Sequence, residues 1–153
     1  MPDDNQLVAG SRRAAMVILV ALDGRLLLHH RDDKPGVLHP GCWAGFGGAV
    51  ELGESVEAEA KREVLEETGL AIASPTFLCD LEDKEGRGDM VSLFFVRGPF
   101  DPEDVMLSEG QKVGLFHIKD LDTLRVTPFV WRAITMHLIP RLSGRDDQPV
   151  PSS

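Results

Sequence analysis

Five glutamates, Glu57, Glu59, Glu63, Glu66 and Glu67, crowd one short stretch of the chain, "SVEAEAKREVLEETGL". Like charges three or four positions apart on a helix repel by roughly 0.2–0.5 kcal/mol per pair. Such a run is therefore either a plain solvated face or a cluster that expects a cation. With Glu63 at zero on a helical wheel, Glu66 falls near ~−60°, Glu67 near ~+40° and Glu59 near ~−40°, an arc of ~100°. Arg62 stands just beside that arc, at helical spacing from Glu59 and Glu66. The stretch follows a glycine-rich loop containing Gly47 and Gly48, where bare backbone can come close to a ligand. Carboxylate and carbonyl oxygens together are the donor set that Mg²⁺ and Mn²⁺ prefer.

The surrounding elements must hold this stretch in place. Ser55 supplies an N-cap, Glu57 suits the first turn, and Gly69 is placed to end the helix as a C-terminal cap. Upstream, the apolar runs Ala14–Leu22 and Arg25–His30 flank Asp23–Gly24, a strong hairpin signal. The loop "RDDKPGVLHPGC" carries two prolines and two glycines and has no regular element. Trp43–Phe46 reads as a short strand running into Gly47–Gly48. Downstream, "LAIASPTFLCDLE" and "MVSLFFVRG" read as strands around the polar turn "DKEGRGD", and "GLFHI" as another strand. Lys119–Leu124 reads as a turn or short helix. Thr127 and Pro128 open a last helix expected to run to about Ile139, with Pro140 as its stop. Strands, a central helix, strands and a terminal helix predict an α/β sandwich with a mixed sheet and helices outside. Residues 1–12 are expected to be flexible, 13–142 to form one domain, and 143–153 to be a disordered tail.

The chain has 153 residues and a formal net charge of −9. That acidity argues against binding DNA or RNA polymers or an anionic membrane, both of which want clustered Lys and Arg. An anionic substrate would need local help from a metal or a few placed cations. The two cysteines, Cys42 and Cys79, make no disulfide framework and read as small buried hydrophobes, as expected of a cytoplasmic protein. "SRRAAMVILVAL" pairs two arginines with an apolar run, yet Asp23–Gly24 follows at once without a small-residue cleavage site. A core strand is the better reading than an export signal.

Gly48, Glu54, Arg62, Glu63, Val64, Glu66, Glu67, Gly69 and Leu70 spell G-x5-E-x7-R-E-U-x-E-E-x-G-U, where U is aliphatic. This resembles the signature of the Nudix hydrolase family, with every defined position filled. The resemblance implies an α/β/α sandwich and hydrolysis of a nucleoside diphosphate linked to another group, with Mg²⁺ or Mn²⁺. It implies that Glu63 and Glu67 are metal ligands, that Glu66 ligates directly or through water, and that the Gly47 carbonyl is a further ligand. Glu54 would stand near the metal through water or pair with Arg62, and Arg62 would orient Glu63 and Glu67. Those roles suit the chemistry, because phosphates add negative charge to a site already rich in carboxylates.

Outside the signature, Glu109 in "SEGQKVG" resembles a loop glutamate that binds metal or deprotonates water in MutT-like members. Glu63 and Glu109 are rival general bases. "WAGFGG" resembles the family's lead-in, with Phe46 where proline is common. Trp43 and Phe46 are candidates for stacking on a base, although aromatic burial favours a core role. Arg31 and Lys34 are candidate phosphate partners, with His29, His30 and His39 nearby. His29 and His30 are adjacent in a strand, point to opposite faces and make no joint metal site. MutT-like guanine recognition uses Asn or Asp just before the last helix. Val126, Thr127 and Pro128 stand there instead, against oxidised-guanine specificity. Nucleoside triphosphates, nucleotide sugars and dinucleoside polyphosphates all remain open as substrates. A non-catalytic module that binds a nucleotide metabolite is the alternative, and an acidic buffer of divalent ions is a third reading. A homodimer is the default assembly for such a domain.

Overall fold

The computed structural model describes residues 12–106 and 112–143. Among the described residues seven strands form one mixed sheet: β1 (Arg13–Ala21), β2 (Leu26–His30), β3 (Trp43–Ala44), β4 (Phe46–Ala49), β5 (Thr76–Glu82), β6 (Met90–Gly98) and β7 (Lys112–Phe116). Helix α1 (Val56–Thr68) lies on one face. On the other lies a terminal helix made of α2 (Pro128–Ala133), a π-helical turn (Ile134–Leu138) and α3 (Ile139–Ser143).

Strand β1 holds the centre. Its alternating side chains are apolar on both sides, so neither face can be left to water. Ala15, Val17 and Leu19 pack with Phe46, Phe94 and the α1 residues Ala60 and Val64. Ile18 and Val20 pack with Phe129, Val130, Ala133, Ile134 and Leu138. The Arg-Arg apolar run is thus the core strand that its sequence suggested. Cys42 and Cys79 are free and buried.

One edge of β1 pairs in parallel with β6 along its whole length, Arg13 opposite Met90 through Ala21 opposite Gly98. The other edge changes partner midway. Near the hairpin, Leu19 and Val20 pair with Leu27 and Leu26 of β2. Before that, Ala14 to Val17 pair with Ala49 to Phe46 of β4. Strand β2 forks away in the same manner, and His29 and His30 pair with Ala44 and Trp43 of β3. Residues 43–49 therefore cross from one arm of an opened hairpin to the other. This crossing brings Gly47 and Gly48 beside α1.

The helix boundaries of α1 follow its sequence. The Ser55 hydroxyl accepts from the Ala58 N–H at 3.0 Å, and Gly69, at φ 79°, donates its N–H to the Leu65 carbonyl. The terminal helix departs from expectation. Pro140 does not stop it, and the helix continues to Ser143. Proline lacks an N–H and crowds the carbonyl of the preceding turn. The π-helical turn directly before Pro140, in which Ile139 N–H reaches back to the Ile134 carbonyl, widens the helix where that conflict would fall.

Candidate active site

The acidic stripe of α1 faces β4 because Ala60 and Val64, the residues that bury the helix, lie beside it. Close approach needs bare backbone. A Cβ on Gly48 would stand 2.5 Å from Glu63 Oε2 and 3.2 Å from Glu59 Oε2. A Cβ on Gly47 would strike the Ala15 carbonyl of the neighbouring strand. These two glycines let the carboxylates and the sheet share one small space.

Arg62 is the hub of the cluster. Its Nε donates to Glu54 Oε2 at 2.9 Å, and its Nη1 donates to both oxygens of Glu66 at 3.1 Å. Its Nη2 meets Glu59 Oε1 and lies 3.3 Å from Glu51 and 3.6 Å from Glu63. The Arg62 contact holds the Glu54 carboxyl down at about 2. In return, the hydrogen bonds to Glu54 and Glu66 push the Arg62 guanidinium up. Glu66 is 56% exposed and turned toward Arg62.

Glu59 is fully buried, a placement that the wheel alone does not separate from that of exposed Glu66. Burial raises its carboxyl, and the neighbouring Glu63 and Glu54 carboxyls add to the rise. Burial likewise pushes Glu67 up to about 9, with Glu63 adding to it, while the Gly47 backbone and the charge of Arg31 pull the other way. Glu59 Oε2 and Glu67 Oε1 are buried without a hydrogen-bond donor among the described residues. Among those residues no three carboxylate, imidazole or thiol groups already stand at the spacing of a finished metal site. Carboxylates buried this close together are stabilised by Arg62, by shared protons and by bound cations. Its hard oxygen donors fit Mg²⁺ or Mn²⁺.

On the far side of Gly47 and Gly48 opens a cavity of about 220 Å³, bordered also by Arg31, His39, Asp83 and Asp89. Arg31 donates from Nε to the Leu38 carbonyl at 2.6 Å and stands between this cavity and Glu67. Lys34 is turned outward, 67% exposed, with Asp32 3.9 Å away. Phe46 is a core residue, 1% exposed and stacked on His29 at 4.9 Å, so it has no face for a ligand. Trp43 is half-buried, edge-on to Phe116 and tilted on His30. Glu109 lies outside the described residues.

The sequence reading passed over Asp83, Asp89 and Arg87, because "DKEGRGD" has the composition of any polar turn. The signal available was Asp83 and Asp89 bracketing that turn at the ends of two strands.

Known proteins resemble this chain over parts of its length. An ADP-ribose pyrophosphatase of Methanocaldococcus jannaschii is 31% identical over 108 residues, 69% of this chain and 62% of that protein. An oxidized purine nucleoside triphosphate hydrolase of Danio rerio is 45% identical over 56 residues, 37% of this chain and 34% of that protein. The nucleoside triphosphatase NudI of an Escherichia coli strain is 36% identical over 93 residues, 56% of this chain and 65% of that protein. The chain thus spans less than two thirds of the length of these relatives. Among solved structures, a MutT NUDIX hydrolase from Burkholderia pseudomallei aligns with a TM-score of 0.68 at 28% identity, covering 81% of this chain and 95% of that one. The NUDIX domain of Shewanella oneidensis NrtR shares the fold, with a TM-score of 0.67 at 16% identity, over 93% of this chain and 95% of that one. Residues 10–135 match the family model of the NUDIX domain, and with most of the chain covered, the protein belongs to that family.

Proposed function

We propose that this protein hydrolyses a phosphoanhydride bond in a nucleoside diphosphate linked to another group, with Mg²⁺ or Mn²⁺. The observation that carries this reading is the pair of buried, donorless oxygens on Glu59 and Glu67, set around Glu63 and against Gly47–Gly48. A carboxylate group kept this dry costs stability unless cations accompany it. A divalent ion bound there would neutralise phosphate charge and lower the pKa of bound water. Glu63 and Glu67, with the backbone of Gly47, would hold such an ion, with Glu66 and Glu54 beside Arg62 as further carboxylates for it. Arg62 fixes the first turns of the stripe by engaging several carboxylates at once, a positioning role. Arg31, at the border of cavity and cluster, is placed to meet the phosphates. Glu63 takes the proton from the attacking water, with Glu109 as the competing base.

The named activities of the relatives, on ADP-ribose, on oxidized purine nucleoside triphosphates and on nucleoside triphosphates, support a nucleotide-type substrate. No helix among the described residues is long and apolar enough to cross a membrane.

Chromatography of the nucleotide products formed from a panel of nucleoside triphosphates, nucleotide sugars and dinucleoside polyphosphates tests the proposal. Turnover is expected with Mg²⁺, to vanish with EDTA, and to fall about 10²–10⁴-fold in Glu63→Gln with the fold retained. Turnover that survives chelation contradicts it. Tight nucleotide binding with no cleavage of the nucleotide points instead to a binding module.

A further inference from the structure

The cavity beyond Gly47–Gly48 has a feature that the hydrolytic cluster does not use. Asp89 borders it and is only 6% exposed, and its Oδ1 is buried with no hydrogen-bond donor among the described residues. Its other oxygen accepts from Arg87 Nη2 at 3.2 Å, so the side chain is held and not free to swing toward water. A carboxylate oxygen is an acceptor only. Left buried without a donor it is costly, so a bound molecule that presents an N–H there relieves that cost.

The turn that carries Asp89 is braced. Asp83 N–H donates to the Asp89 carbonyl at 2.8 Å, and Gly88 N–H donates to the Asp83 carbonyl at 2.9 Å. The Asp83 carboxylate is gripped by His39 Nε2 at 2.8 Å and accepts from Gly86 N–H at 3.1 Å. Such preorganisation makes a weak contact selective, because little ordering is left for the ligand to impose.

The remaining walls indicate what brings that N–H. Met16, Val91 and Phe129 line the cavity with apolar surface. At about 220 Å³ it lies below the ~300–1,000 Å³ of pockets that enclose whole drug-sized ligands. It suits one flat, uncharged ring system that is apolar on its faces and polar at its edge. The registers place it well for a nucleotide. Ala49, Ala14 and Val91 stand in one row across β4, β1 and β6, two strand spacings or about 10 Å. Asp89 lies just before Val91, and the phosphate-facing glycines lie just before Ala49.

We infer that Asp89 selects the base of the substrate, accepting a hydrogen bond from an amino-bearing nucleobase seated in this cavity while its phosphates reach across Gly47–Gly48 toward α1. The inference rests on the hydrolytic reading only for the direction of the phosphates. A keto group in place of the amino group would set two acceptors against each other, and the loss falls on binding itself.

The test uses binding without added metal, so that it stands apart from turnover. Nucleoside monophosphates differing by one amino group are compared by calorimetry: AMP with IMP, GMP with IMP, and CMP with UMP. The amino-bearing member is expected to bind about tenfold or more tightly in at least one pair. In Asp89→Asn, whose amide can present an N–H to a keto group, that ratio is expected to fall below about threefold. Wild-type affinities equal within each pair, no detectable binding of any monophosphate, or an unchanged ratio in Asp89→Asn would each overturn the assignment. If that variant does not fold, the wild-type pairs still decide, joined by a base whose amino group is doubly methylated and must bind worse. A chain that binds selectively but cleaves no nucleotide with Mg²⁺ would sink the hydrolase and leave Asp89 in place. Turnover without base preference would do the reverse.

Discussion

Glu67 keeps one oxygen buried without a donor, and burial favours its protonated form. Its carboxyl is raised from an ordinary 4.5 to about 9, so across that window the folded chain holds a proton that the unfolded chain has released. Stability from this group is complete below about 4.5 and is lost as pH rises through about 9. Glu67→Gln keeps the shape and removes the charge. At pH 8 without metal this variant is expected to be more stable than wild type by about 1–3 kcal/mol, while losing Mg²⁺-dependent hydrolysis. Calorimetric melts of both proteins at pH 5 and pH 8 check this, and a variant that melts lower at pH 8 contradicts it. The residue types of the cluster were legible in the sequence, since spacing alone placed Glu59, Glu63, Glu66 and Glu67 on one arc. Their ranking was not. Glu59 is buried and Glu66 exposed because β4 covers one side of the arc only, and that contact is set by the pairing of β4 with β1, which helical spacing does not report.

The element that makes the site is the crossing segment 43–49 against α1. Gly47 and Gly48 are adjacent in sequence yet have different reasons to be glycine. At Gly47 a methyl group would meet backbone of β1, which cannot move without breaking the sheet. At Gly48 it would meet the far end of the Glu63 side chain, which can swing aside. Gly47→Ala is therefore expected to destabilise by at least about 2–3 kcal/mol or to prevent folding. Gly48→Ala is expected to fold with a near-normal melting temperature and to lose most activity, because it displaces Glu63. Expression yield, circular dichroism and turnover separate the two, and equal effects in both variants would refute the distinction. The helix itself was readable from Ser55 to Gly69 because caps are local chemistry. The fork between β1 and β2 was not, since Asp23–Gly24 reports only the hairpin's tip. Pro140 misled for a related reason: a proline reads as a stop unless the preceding turn has already widened.

For the whole molecule, the pH profile has two opposing slopes. His29 is buried against Phe46, and burial first, then the charge of Arg31, lowers it from 6.5 to about 4. The unfolded chain takes up that proton at a higher pH than the folded chain, so stability is lost as pH falls from about 6.5 and levels off near 4. The loss is on the order of 3 kcal/mol over that range. With Glu67 acting in the other direction, the metal-free protein is expected to be most stable in mildly acidic to neutral solution. His29→Phe should flatten the acid side of a urea-denaturation series, and an unchanged slope would show that other groups carry it. At this scale the sequence showed the sandwich class and the two helical layers, because both follow from apolar periodicity. It did not show the cavity. His39, the Asp83–Asp89 turn and Phe129 come from three separate segments, and nothing local ties a turn aspartate to a loop histidine.

The full-length parallel pairing of β1 with β6 has a consequence for biosynthesis. As the chain leaves the ribosome, β1 emerges early and can gather β2, β4 and α1, all of which precede Ile72 or follow within a short reach. Its second edge stays open until Gly98 has emerged. Contacts that span so much chain close slowly. A nascent half-sheet thus carries one unpaired backbone edge, open to mispairing with other chains, until β6 arrives to close it.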